Sequence, residues 1–315
     1  MKTKVFCVGA SLFSLLISLL ALPSTSMAAP LEVITSIPDV QAVVAAVGGS
    51  EVHVQSFLTG VEDPHFVDAS PRFVQQAIKA DLVCAMGLDL ESGWLPRVLA
   101  RSGNAAIQPG GKGYCELSST VEVLEKSDAG ADRSKGDIHA GGNPHFNISP
   151  RALAQASSAA LEALTRLRPE KAAIFQKNRD AFVKEMTELE AAVRLKLKPL
   201  IDLSKKGPVA IEYHREFLYF FSLYGIRSLG SIEEKPGLSP SAAHLANIAV
   251  QSKTAGVKVA IASQTAPHKH LARFTELSGI PHKTVYTILQ TERGAKDGPT
   301  RFRDAQEQIV KALLE

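Results

Sequence analysis

The chain has 315 residues, 45% of them hydrophobic, and its 35 Lys and Arg against 32 Asp and Glu give a net charge of +3. That hydrophobic content permits ordinary cores. The charges are interspersed rather than gathered into a basic stripe, which argues against nucleic acid as a partner.

Residues 1–29 read as a secretory signal peptide. Lys2 and Lys4 precede an apolar run from Val5 to Leu22, and Ser26 and Ala28 form the small-x-small pattern of a cleavage site. The run is short for a spanning helix, which needs roughly 20 apolar residues. The mature chain is then expected to start near Pro30 as a soluble periplasmic protein, with length for two domains at roughly 100–200 residues each.

From Leu31 the pattern alternates. Leu31 to Ile37 is strand-like, Asp39 to Val47 helical, and Glu51 to Leu58 strand-like again. A helix is predicted over Pro71 to Ala80, a strand over Asp81 to Met86, a helix around Glu91 to Ala100 and a short strand over Ala105 to Gln108. Strands alternating with helices predict a mainly parallel α/β lobe over 30–150. Cys84, in the apolar run 81–87, reads as a small buried hydrophobe. In an oxidising compartment a single pair with Cys115 is the alternative.

Residues 151–200 form a helical region. Pro150 to Leu167 reads as one helix, and Pro169 to about Leu197 as a long second helix stopped by Pro199. At about 1.5 Å per residue the second spans on the order of 45 Å, the length of a strut between two lobes. Alternation resumes over 201–315, with strands near Val209 to Tyr213, Val257 to Ala262 and Thr284 to Leu289. Helices are predicted near Arg215 to Tyr224, Pro240 to Ser252, Lys269 to Ser278 and Thr300 to Leu314, giving a second α/β lobe.

Two distant segments share a local design. Asp63-Pro64-His65-Phe66 leads to Ser70-Pro71-Arg72, and Asn143-Pro144-His145-Phe146 leads to Ser149-Pro150-Arg151. Each Ser-Pro pair is a helix start, with serine as N-cap and proline at the first helical position. Proline fixes its own φ and restricts its predecessor, so each Pro-His pair presents an imidazole from a stiffened loop. His214 stands at a third strand-to-helix junction, and ligands of open α/β sheets bind outside the carboxyl ends of strands. Neutral imidazole is a favoured zinc ligand, and His65, His145 and His214 are the candidate ligands. Capped, hydrogen-bonded structural histidines are the other reading of the same pattern.

The whole mature chain resembles the zinc- and manganese-binding proteins of bacterial metal ABC importers. Three motifs carry the resemblance: Gly60-Val-Glu-Asp-Pro-His65 with Pro71, Asn143-Pro-His-Phe-Asn-Ile-Ser-Pro150, and Glu212-Tyr-His-Arg-Glu-Phe-Leu-Tyr219 with Tyr224-Gly225. The resemblance implies two α/β lobes, each a mainly parallel sheet flanked by helices, joined by one long backbone helix with a metal in the interlobe cleft. It puts the three family histidines at His65, His145 and His214, and it implies a membrane permease as the partner of a monomeric, non-enzymatic binding protein. Three imidazoles favour zinc over manganese, which prefers oxygen donors.

The resemblance also implies a carboxylate ligand just after the last strand, where Val285-Tyr-Thr-Ile-Leu-Gln-Thr291 carries no acid. Glu276 lies too far off, and water, Glu292, Asp297, His268 or His270 are the candidates for that position. The stretch Lys126 to Gly142 contributes only His139 where zinc-specific relatives insert a His-rich loop, and His139 is expected in solvent, with transient contact to the site as the other reading. A secreted three-histidine zinc hydrolase is the alternative function, with Glu62, Asp63 or Glu212 as general base. No HExxH helix or nucleophile elbow supports it.

Overall fold

The computed structural model describes residues 29–126, 139, 141–202, 207–235, 237–291 and 298–315. Of the signal peptide expected over residues 1–29, residues 1–28 lie outside the described residues. Two four-stranded sheets organise the chain. The first contains β1 (Leu31–Thr35), β2 (Val52–Ser56), β3 (Leu82–Ala85) and β4 (Tyr114–Glu116) in the order β2-β1-β3-β4. The second contains β5 (Val209–Glu212), β6 (Arg227–Ser231), β7 (Ala260–Ser263) and β8 (His282–Val285) in the order β6-β5-β7-β8. Every pairing is parallel. All four residues of β3 and of β7 are buried, as strands covered by helices on both faces require.

The crossovers are α1 (Pro38–Gly48), α2 (Pro71–Ile78) and α3 (Leu95–Ser102) in the first lobe, and α6 (Leu218–Tyr224), α7 (Ala242–Ala255) and α8 (His268–Ser278) in the second. Between the lobes run α4 (Pro150–Leu167) and α5 (Ala172–Asp202), and α9 (Phe302–Leu314) closes the chain. The predicted starts hold in detail. The Ser70 side chain accepts from the Phe73 N–H before Pro71, and Ser149 accepts from the Ala152 N–H before Pro150.

Helix α5 has 31 residues and buries Phe175, Phe182, Met186, Leu189, Val193 and Leu197 along one stripe. The stripe packs on α1 and α4 of the first lobe and on α9, with the rings of Phe182 and Phe302 6.3 Å apart. The carboxyl-terminal helix therefore crosses back to the strut, and Gln306 Nε2 donates to the Ile148 carbonyl at 2.6 Å. One continuous core extends from the first sheet through α4, α5 and α9, while a smaller cluster of Ile211, Tyr213, Ile232, Leu245 and Phe274 lies within the second lobe. Among the described residues, no helix is long and apolar enough to cross a membrane.

Four readings of the sequence need correction. Pro199 does not stop α5, which continues to Asp202. The carbonyl left without a partner belongs to Leu195, on the solvent face at 71% exposure, where water can take the place of the missing N–H. Residues Ala105–Ile107 form a 3₁₀ turn, and the edge strand β4 follows a Gly-rich turn at Tyr114–Glu116. Strand β6 was absent from the alternating pattern because Arg227-Ser-Leu-Gly-Ser231 is an edge strand with little apolar content. Cys84 and Cys115 form a disulfide. They are direct partners in the parallel β3–β4 pairing, with Cα atoms 4.7 Å apart, inside the span a disulfide bridges.

Candidate metal centre

The three loops that carry the predicted histidines meet between the lobes. In the first, after β2, Asp63 Oδ1 accepts both the His65 backbone N–H, at 3.0 Å, and His65 Nδ1, at 2.8 Å. Glu62 closes the base of this loop through Thr59 N–H, Thr59 Oγ1 and Gly60 N–H at 2.8–3.2 Å. Trp94 Nε1 anchors the Pro64 carbonyl at 2.9 Å.

The second loop repeats the device with an amide. Asn143 Oδ1 accepts the His145 N–H at 2.9 Å and His145 Nδ1 at 3.1 Å. The two motifs are thus matched turns in which the side chain two residues before the histidine aims the ring. The stiffness of each loop comes from this turn as well as from the proline. The Asx residue at the same spacing in both motifs was the visible signal for the turn.

His214 follows β5 and is aimed from a distance. Its Nδ1 lies 2.6 Å from Glu233 Oε2, beyond β6, and Glu233 Oε1 accepts the Gly237 N–H at 3.0 Å. The turn after β5 is held by the buried Glu212, which accepts the Phe217 N–H and the Ser228 hydroxyl, both at 2.8 Å. The second and third loops are also joined. Asn143 Nδ2 donates to the Arg215 carbonyl at 2.8 Å, and the Tyr219 hydroxyl donates to the Asn143 carbonyl at 2.9 Å.

Each Nδ1 therefore faces an oxygen acceptor, which places the proton there in the neutral ring and makes Nε2 the lone-pair nitrogen. The ring centroids of His65, His145 and His214 are 5.2, 5.6 and 5.1 Å apart, and one nitrogen from each lies within 4.8 Å of the others. For comparison, three imidazoles on a tetrahedral ion at about 2.0–2.1 Å per nitrogen have centroids about 5 Å apart. Nε2 of His145 is buried without a hydrogen-bond partner among the described residues. Arranged this way, the three rings have the donor type and spacing to hold one soft-to-borderline divalent ion.

The electrostatics are uneven. Burial, followed by the neighbouring imidazoles of His214, His65 and His139, pushes His145 well below the usual histidine range. Burial also works against a charged His214, but the hydrogen bond to Glu233 and the charges of Glu216 and Asp63 outweigh it and push His214 up to about 9. Asp63 is likewise desolvated, and its hydrogen bond to His65 and the charge of that ring hold it below the usual carboxylate range. Glu216, buried in the same cleft, is pushed up by desolvation.

Among the described residues the remaining candidates make other contacts, although His270 lines the same cavity. Glu292 and Asp297 lie outside the described residues. His270 Nδ1 is 2.8 Å from the Tyr213 hydroxyl and its ring stacks on that tyrosine, while the His268 ring contacts His282. Glu276 pairs with Arg273 on the surface of α8. His139 is not in solvent as expected. Its ring is half-buried, with centroids 5.4 Å from His65 and 6.2 Å from His145. Glu62, Asp63 and Glu212 all accept backbone, hydroxyl or imidazole hydrogen bonds that shape the loops carrying the histidines.

The family model of the periplasmic zinc-uptake complex component A, ZnuA, matches residues 33–315. The chain is 26% identical over 255 residues to the high-affinity zinc uptake system protein ZnuA of Yersinia pestis, covering 76% of this chain and 77% of that protein. It is 24% identical, over 80% of this chain and 76% of the relative, to a metal ABC transporter substrate-binding lipoprotein of Lactococcus lactis. Its fold is similar to that of the periplasmic zinc-binding protein TroA from Treponema pallidum, at a TM-score of 0.72 and 20% identity over 90% of this chain and 99% of that one.

Proposed function

Because the chain belongs to the ZnuA family of metal-binding substrate-binding proteins, which are transport proteins rather than enzymes, we propose that it captures one zinc ion between its lobes. The ligands are Nε2 of His65, His145 and His214, and the ion passes to the permease of a metal ABC importer. The observation that carries this reading is the convergence of three imidazole nitrogens, each ring oriented through Nδ1 by an oxygen behind it. Ligating histidines characteristically donate their other N–H to such a partner, which fixes the tautomer and raises the basicity of the ligand.

Zinc follows from the donor set, since imidazole suits zinc and manganese prefers carboxylate, carbonyl and water. The protein works in the periplasm after removal of residues 1–29, as a monomer. Among the contacts that hold the lobes at the site, Thr291 N–H donates to the Thr59 carbonyl at 3.0 Å, and Gly60 packs directly on the Leu289 carbonyl. A Cβ at Gly60 would sit 2.0 Å from that oxygen, and its φ of +95° also demands glycine. Release then requires that the permease separate this seam.

The test is a zinc titration of the mature protein after stripping with chelator. Tight uptake of one equivalent per chain is expected, and absence of binding near one equivalent overturns the reading.

A further inference from the structure

The interlobe cavity, about 200 Å³, is lined by three carboxylates besides the histidines: Asp63, Glu233 and Glu216. Two of them face imidazole Nδ1 atoms, Asp63 behind His65 and Glu233 behind His214. The third has no imidazole to orient. Glu216 is only 8% exposed, and its oxygens are held by neutral hydroxyls, Ser263 Oγ at 2.7 Å and the side chain of Thr287. Ser263 ends β7 and Thr287 follows β8, so this carboxylate stands at the carboxyl ends of the second lobe's strands, beside the rim that carries His214.

A buried carboxylate held only by hydroxyls is costly, because they offset little of the hydration lost on burial. It lines the same cavity as His65, His145, His214 and Asp63. A divalent ion held by three neutral imidazoles brings two positive charges into the same cleft, which a carboxylate in contact would offset. Resting on the zinc-binding reading above, we propose that Glu216 is the fourth ligand of the ion. Its carboxylate leaves Ser263 and turns to the three histidines when zinc binds.

The experiment compares zinc affinity, by competition with a chromophoric chelator, for the full mature chain and for Glu216→Gln, Ser263→Ala and His139→Ala. Infrared difference spectra of the wild type and Glu216→Gln are recorded on zinc addition. Glu216→Gln is expected to keep one equivalent but to bind more weakly by at least the about 10- to 100-fold that loss of an orienting partner costs. Ser263→Ala, which frees the carboxylate, is expected to bind as tightly as wild type or more so. The carboxylate stretching band that moves on zinc binding in the wild type should vanish in Glu216→Gln. Should that variant not fold, Glu216→Asp replaces it and the band should shift instead. Unchanged affinity in Glu216→Gln, an unmoved carboxylate band, or a larger loss in His139→Ala than in Glu216→Gln each overturns the assignment while leaving the three-histidine reading intact. Failure of the wild type to bind zinc overturns both.

Discussion

The first-lobe histidines and His214 reach the same centre by different construction. His65 and His145 are aimed by residues two positions earlier in their own loops, so their geometry is set locally. His214 is aimed by Glu233, 19 residues away and beyond the edge strand β6, so its geometry depends on the packing of the second lobe. A site assembled this way has two rings aimed from within their own loops and one aimed through the packing of the second lobe. That suits the capture and release proposed above.

The largest expected effect comes from the rings themselves. Replacing His65, His145 or His214 with Ala should each weaken zinc binding beyond the about 10- to 100-fold typical of losing an orienting partner, with the fold retained by circular dichroism. The orienting residues come next and distinguish the two constructions. Asp63→Ala and Glu233→Ala should each cost about 10- to 100-fold in affinity. Asp63→Asn should cost much less than Asp63→Ala, because Asn143 already performs the same task with an amide oxygen. Equal losses for Asp63→Asn and Asp63→Ala would show that charge, rather than an aimed acceptor, is what His65 requires.

The seam between the lobes gives a pH signature. Asp39 on α1 accepts Leu289 N–H and Asn147 Nδ2, both at 3.0 Å, and Asn147 also donates to the Thr287 carbonyl. Burial outweighs these bonds and pushes the Asp39 carboxyl up to about 7. Its unfolded value is about 3.9, so the folded chain retains a proton that the unfolded chain has lost. This contribution is present in full below about pH 4 and is lost as pH rises through 7, on the order of 4 kcal/mol. Chemical denaturation at pH 4.5 and 7.5 should therefore show wild type losing stability relative to Asp39→Asn as pH rises. An unchanged difference between the two proteins would contradict it.

Much of the fold was legible because its signals are local. The Ser-Pro caps before α2 and α4, the run of α5 and the apolar strands β1, β3 and β5 are all set by neighbours a few residues apart. What escaped was non-local or carried by edges. The Cys84–Cys115 bond depends on the register of β3 against β4, and β6 needs little apolar content at the rim of its sheet. Glu233 and Glu216 gave no pattern because their roles arise only when β6, β7 and the segment after β8 are brought together. The three histidines stood out in the sequence, but the oxygens behind them did not, although Asp63 and Asn143 hold matching places two residues before the ring.

The most direct test of the central claim is a crystal structure of the zinc-loaded protein with an anomalous map at the zinc edge. One peak is predicted between the lobes, about 2.0–2.1 Å from Nε2 of each of His65, His145 and His214, with Nδ1 of each still on Asp63, Asn143 and Glu233. A peak elsewhere on the chain, or coordination through Nδ1, would contradict it.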